Sequence, residues 1–431
     1  MLCFYNFTKQ KLNNWYVIFI MLHGIYTLTP AIRFIHQIIL LDFGVVFLCF
    51  MSMLRQIKLF KDNKYSTTLL GSIGFVFLYC LIYKLIGVST VSIGSSIRYL
   101  SLFMSAMFGY SIVRYSSYKQ KVVLLYSWTV IMAVNVLYNI FIYQILLSDV
   151  KIEQMNELSK ELNIFNFGGT SFTGYVFFAS LVYLILLYYV TNKWCRLISL
   201  LMFFISFYYT IYCGMRGTTA VLFVLAFSLI TINKFVSSKN KNFVNLFILF
   251  VIFIVFIFKE QVLGFLIKIS PSERIAERFS DVLETMQEGY TESSFTGRGN
   301  LFDIAFNSWL RNIFTFLFGI GELVMNENSF SKYASAGISG HSDVVDTLAK
   351  YGVVGFILFM RIIWLSYKQM KSLFFSTSFM NVISYIFICL ILYGTIKIMF
   401  HDDIFNIVLI FLPLALSVIQ NKMFKNQKIN K

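Results

Sequence analysis

The sequence predicts an all-α polytopic membrane protein of about twelve transmembrane helices, with one large extracytoplasmic helical loop between the ninth and tenth. Three observations predict it. Apolar runs of about 20 residues recur along the chain, and at about 1.5 Å rise per residue each spans a hydrocarbon core of about 30 Å. The 431 residues are 58% hydrophobic and 13% charged, with mean hydropathy +0.74, whereas an average soluble protein is about 25% charged. Finally, lysine and arginine gather in alternate connections between the apolar runs, as the positive-inside rule requires of a multi-pass chain.

The expected spans are 14–31, 37–54, 67–87, 97–114, 122–147, 169–190, 195–213, 217–235, 243–258, 352–367, 375–399 and 403–420. The first apolar run, Trp15 to Thr29, is followed by no small-residue cleavage site and reads as a spanning helix rather than a signal peptide. Lys9 and Lys11 precede it. Arg55, Lys58, Lys61 and Lys64 follow the second span, and Arg114, Lys119 and Lys121 the fourth. Lys193 and Arg196 follow the sixth, Lys234, Lys239 and Lys241 the eighth, and Lys368 and Lys371 the tenth. Lys422, Lys425, Lys428 and Lys431 come after the last. All these clusters fall on one side, which the rule places in the cytoplasm with both termini. The expected location is the inner (cytoplasmic) membrane. Residues 1–258 then hold nine spans, 259–351 form the outer loop, and 352–431 hold three spans and a basic cytoplasmic tail.

This distribution removes nucleic-acid binding as the reading of the net charge of +16. Six cysteines, Cys3, Cys49, Cys80, Cys195, Cys213 and Cys389, are scattered, with no CxxC pair and none in the polar loop. They support neither a disulfide framework nor a zinc site. No cofactor is implied.

The loop reads as ordered. Ser270-Pro271-Ser272-Glu273 has the form of a helix start, with Ser as N-cap, Pro at the first position and Glu at the third. Ile275, Phe279, Val282, Leu283 and Met286 then make an apolar stripe at helical spacing, suited to a helix along the membrane surface. A second helix is expected from about Gly299 to Asn312. Gly319 and Gly321 form a tight turn. A third, short helix starts at Ser342, with Asp343 and Asp346 where the dipole favours acid, and Gly352 leads into the tenth span.

Candidate chemistry concentrates at the outer face. Arg216 stands where the seventh span ends and the eighth begins, with Thr218 and Thr219 after it. Free N–H groups and a guanidinium fork make an anion site there; the alternative is an arginine snorkelling to headgroups. Arg298, flanked by Gly297 and Gly299, is expected to precede a helix with its backbone open to a bulky anion; the alternative is a solvated loop arginine. His341, one of four histidines, stands just before the cap of the short helix. A neutral imidazole there can accept a proton from an attacking hydroxyl, or serve as a hydrogen-bonded structural residue. Asp343, Asp346 and Glu322 are alternative bases or substrate contacts, with capping and solvation as their other reading. His341 with Asp343 is too small a donor set to imply a metal. Lys84, Arg98 and Lys397 near outer helix ends either ring the mouth of the bundle or snorkel.

These residues resemble a known family. An Arg-Gly at an outer helix end precedes a long outer loop carrying Gly297-Arg298-Gly299, Phe318-Gly319-Ile320-Gly321 and the run from His341 to Gly355. The pattern is similar to that of the bacterial O-antigen/capsular polysaccharide polymerase (Wzy-type) and O-antigen ligase family, over residues 214–217 and 296–356. The resemblance implies a metal-independent, inverting glycosyltransferase whose donor is an undecaprenyl-pyrophosphate-linked oligosaccharide. It implies Arg216 and Arg298 on the pyrophosphate and His341 as base. Its further partners would be a chain-length regulator protein and a flippase. Ser342-Asp343 follows His341 where many ligases show a His-Asn pairing, which favours polymerase over ligase. A flippase or other transporter is the third reading. It would place ionisable groups deep in its helices and keep its outer loops short, whereas a loop of about 90 residues in a compact protein is usually functional.

Overall fold

The computed structural model describes residues 14–28, 64–86, 93–141, 170–209, 217–235, 257–268, 294–321, 337–340, 342–396 and 402–429, with positions 250, 276, 280 and 283. Among these residues the regular structure is entirely helical. The elements are α1 (Asn14–Leu28), α2 (Lys64–Leu85), α3 (Ile93–Tyr115), α4 (Tyr118–Ile140), α5 (Thr170–Tyr189), α6 (Lys193–Tyr208) and α7 (Gly217–Phe235). They continue with α8 (Lys259–Lys268), α9 (Ser294–Leu310), α10 (Ile313–Phe318), α11 (Asp343–Lys371), α12 (Thr377–Ile396), α13 (Asp402–Asn406) and α14 (Leu412–Ile429). Helices occupy the expected span positions except 37–54 and nearly all of 243–258, which lie outside the described residues. The stripe at 275–286 is also mostly outside them.

Among the described residues, five segments are long and apolar enough to cross a membrane: Lys64–Leu85, Tyr118–Tyr138, Asp343–Lys371, Thr377–Thr395 and Ile404–Lys422. Outward faces carry large apolar side chains at helical spacing. On α4 these are Val123, Tyr126, Val130, Val134 and Leu137, with Phe141 just after its end; on α6 they are Trp194, Leu197, Ile198, Leu201 and Phe204. Apolar stripes facing away from the core suit a bilayer. This is a membrane protein.

The centre of the bundle is the last hydrophobic segment. Residues Ile404 to Leu412, apart from the polar Asn406, and Leu414 to Leu416 are apolar on every side and buried, as is Ile419. A helix hydrophobic all round belongs inside. Here α3, α5, α1 and α4 surround it. Between α13 and α14 it widens into a π turn, Ile407–Phe411, in which the Leu412 N–H reaches the Ile407 carbonyl. The cause is Pro413, which has no N–H to return to Leu409 four residues earlier. The Leu409 carbonyl swings outward against α3, where Gly109 leaves room; a Cβ on Gly109 would stand 1.8 Å from that oxygen. Beside this contact the hydroxyl of Ser105 donates to Asn406 Oδ1 at 2.8 Å, both residues being buried.

Polar contacts join helix ends at the basic end of the bundle. Gln369 donates to Ser66 (2.7 Å), and Asn233 donates to the Ser378 carbonyl (3.0 Å). Lys121, expected as a rim cation, is buried instead. Its ammonium donates to the Val113 carbonyl at 2.6 Å and the Ser417 hydroxyl at 2.8 Å, tying the α3–α4 corner to α14. An ammonium group is held in such a place only by hydrogen bonds of this kind.

Gly109→Ala should lower stability by about 1–3 kcal/mol through overpacking against the Leu409 carbonyl. Gly71→Ala, whose Cβ meets nothing within 4 Å, should be neutral or stabilising. Thermal unfolding in detergent checks the pair, and equal midpoints would contradict the central contact.

Candidate functional site

Segments of the polar loop meet at one helix break. Helix α11 adopts φ 63° and ψ −170° at Gly352, so a short first helix, 343–351, is separated from the long one that follows. A break leaves the carbonyls of the preceding turn without helical partners. Each of the last three finds another donor. Ala349 accepts from the Ile320 N–H (2.9 Å), Lys350 from the Gly321 N–H (2.8 Å) and Tyr351 from the Tyr79 hydroxyl (2.9 Å).

The first two donors come from the turn after α10. That helix starts with a capping box, in which Asn312 Oδ1 accepts from the Thr315 N–H and Thr315 Oγ1 from the Asn312 N–H. Trp309 closes the α9–α10 corner by stacking on Phe316 at 5.1 Å and donating to its carbonyl at 3.0 Å. Gly319 (φ 77°) and Gly321 (φ 80°) then turn the chain onto 349–351, as the sequence predicts. Backbone meets backbone there: a Cβ on Gly352 would come within 2.3 Å of the Leu317 carbonyl carbon, and one on Gly319 within 2.3 Å of that of Lys350. From the membrane bundle, Tyr83 on α2 donates to the Phe318 carbonyl beside the Tyr79 contact.

A second knot holds the start of α11. Ser342 is the N-cap: its hydroxyl accepts from the Val345 N–H at 3.2 Å and donates to the Gly394 carbonyl of α12 at 3.1 Å. Its own N–H donates to Ser339 Oγ at 3.2 Å. Ser339 in turn donates to Asp346 Oδ1 from both its N–H (2.7 Å) and its hydroxyl (2.6 Å). Ser339, Ser342 and Asp346 are all buried. A small apolar cluster of Ala305, Ile338 and Ala349, with Ile320 and Val345 against it, joins α9, the 337–340 segment and α11 beneath this knot.

Asp343 is the first residue of α11 and is half-buried. Asp346 is committed to the Ser339 turn, which favours its structural reading over that of a base. Arg298 lies inside α9, which starts at Ser294 and not at Gly299. Gly297-Arg298-Gly299 is therefore helix rather than the turn before one, and the free N–H groups of that helix start belong to residues ahead of Arg298. The helix takes in both glycines because each costs it only about 1 kcal/mol. Gly340 and Ser342, on either side of His341, are described and buried; His341, Arg216 and Glu322 lie outside the described residues. No group of three or more potential metal-binding side chains occurs among the described residues.

No protein-family model and no curated protein matches this chain.

Sequence reasoning missed Ser339, Tyr79 and Tyr83. The two tyrosines sit four residues apart on one helix face near the outer end of an apolar run, where aromatics are ordinary interface residues. Only the fold shows what they reach.

Asp346→Ala should speed amide exchange at Ser339 and Ser342 by about 10–100-fold, the loss of hydrogen bonds to a charged acceptor worth about 1.5–3 kcal/mol. Asp346→Asn, which keeps Oδ1, should retain most of the protection. Unchanged exchange in the alanine variant would show that the carboxylate does not hold the turn.

Proposed function

We propose that this protein is a polysaccharide polymerase of the bacterial cell envelope, joining undecaprenyl-pyrophosphate-linked repeat units at the outer face of the cytoplasmic membrane for O-antigen or capsule. The proposal includes twelve spans, both termini in the cytoplasm and an extracytoplasmic loop. The observation that carries it is the docking of a glycine-rich polar loop onto the end of an apolar bundle. The helix bearing Arg298 packs on the helix that His341 precedes, and in this reading that contact stands where a lipid-linked sugar would leave the bilayer. Two of the segments that support the family resemblance, 318–321 and the run after His341, meet at the break.

In this reading an acceptor hydroxyl on one lipid-linked unit attacks the anomeric carbon of the glycan on another. The bond from that carbon to the pyrophosphate oxygen breaks as the new glycosidic bond forms, with inversion. Undecaprenyl pyrophosphate leaves with the electron pair. The hydroxyl proton passes to His341. Arg216 and Arg298 offset the charge gathering on the leaving group, each contact being worth about 3 kcal/mol, or roughly 10²–10³ in rate. Asp343 and Glu322 contact the sugars. Two guanidinium groups supply the cationic charge, so the reaction is metal-independent.

Cells lacking the protein should show a single repeat unit in place of a polysaccharide ladder on gels. Arg298→Ala and Arg216→Ala should insert normally and fail to restore the ladder; full-length polymer from both would remove these residues from the site. Long lipid-linked polymer accumulating unattached would assign ligase chemistry instead. His341→Ala should slow transfer by roughly 10²–10⁴, and near wild-type turnover would leave His341 as structure. Chelator should leave the purified protein's rate unchanged; a strong loss would establish a metal requirement.

A further inference from the structure

A cavity of about 210 Å³ opens between α4, α5, α6 and α14 at the basic end of the bundle, remote from the outer loop. Val122, Leu125, Ile198 and Val418 form its apolar walls; Tyr118, Asn192 and Lys422 stand at its mouth. It follows α4 from Tyr118 to Val130, a rise of about 18 Å along the helix. One leaflet's hydrocarbon is about 15 Å deep. The cavity therefore has the depth of an acyl chain entering from one side. Tyr126, Val130 and Ile198, which line it, are also 50%, 59% and 46% exposed on the apolar outer surface. It opens sideways, towards lipid.

Its charge has one sign. Lys422 lines the mouth, Lys193 and Arg196 lie exposed on the first turn of α6, and Lys119 is exposed at the start of α4. Helices α4, α5, α6 and α14 contain no Asp or Glu. Among the described residues, a ligand that places a chain between these walls thus meets cations and neutral polar groups, and no carboxylate of these four helices, where its headgroup must sit. A zwitterionic headgroup, whose phosphate charge its own ammonium offsets, gains little from such a mouth, whereas a headgroup of net negative charge gains about fivefold in binding per nearby Lys or Arg.

We infer that this cavity is a binding site for one anionic phospholipid of the leaflet facing the basic end, its chain between α4, α6 and α14 and its phosphate at Lys422.

The full-length protein, purified in neutral detergent, is titrated with phosphatidylglycerol or with phosphatidylcholine of the same acyl chains, and bound lipid is counted by native mass spectrometry. One phosphatidylglycerol should be retained at least about fivefold more tightly than phosphatidylcholine, and Lys422→Gln should reduce that preference about fivefold. Val122→Trp, which fills the cavity, should remove both lipids. Equal retention of the two lipids, no retention of phosphatidylglycerol, or an unchanged preference in Lys422→Gln would overturn the site, whether or not Val122→Trp folds. Wild-type retention in a folded Val122→Trp protein would also overturn it.

Discussion

The loop and the bundle are one structure because α11 breaks at Gly352. An unbroken helix would satisfy the carbonyls of Ala349, Lys350 and Tyr351 internally and leave the Gly319–Gly321 turn with nothing to hold. The positive φ at Gly352 releases those carbonyls, and two backbone amides and a tyrosine hydroxyl take them up. Each such bond is worth only about 1 kcal/mol net, but leaving a buried carbonyl unmet costs about 1–3 kcal/mol. The break and the docked turn therefore require each other. The absence of a Cβ on both Gly319 and Gly352 lets the two backbones touch, so the contact is set by main chain and is insensitive to most side chains around it.

A similar logic governs the core. Pro413 removes one donor from the most buried helix, the π turn redistributes the hydrogen bonds, and Gly109 on α3 accommodates the displaced Leu409 carbonyl. In a bilayer no water is at hand to satisfy a freed backbone group, so irregular helix survives only where a neighbour is shaped for it. Both irregularities sit against helices that supply that neighbour: α3 for the π turn, α2 for the break.

Much of this was legible locally. The helix expected at 217–235 has the bounds of α7, Ser342 is the cap that its position before Asp343 suggests, and the Gly319 and Gly352 turns lie where glycine alone makes them easy. What escaped was tertiary. Lys121 looks like any rim lysine until Ser417, far along the chain, is seen to receive it. Tyr79 and Tyr83 look like interface aromatics until they are found at the loop's carbonyls. Helix α9 starts at Ser294, five residues before the expected Gly299, because packing of α9 on α11 outweighs the weak helix propensity of Gly297 and Gly299. The glycine turn and the capped helix that meet at the break were legible as segments, while their connections to the bundle were not.

The sharpest test of the whole account uses purified protein in liposomes with lipid-linked repeat units extracted from cells that lack it. Polymer should form with release of undecaprenyl pyrophosphate, without nucleotide sugar or any second protein. Movement of intact lipid-linked units across the bilayer with no new glycosidic bond would contradict the account and make the molecule a transporter.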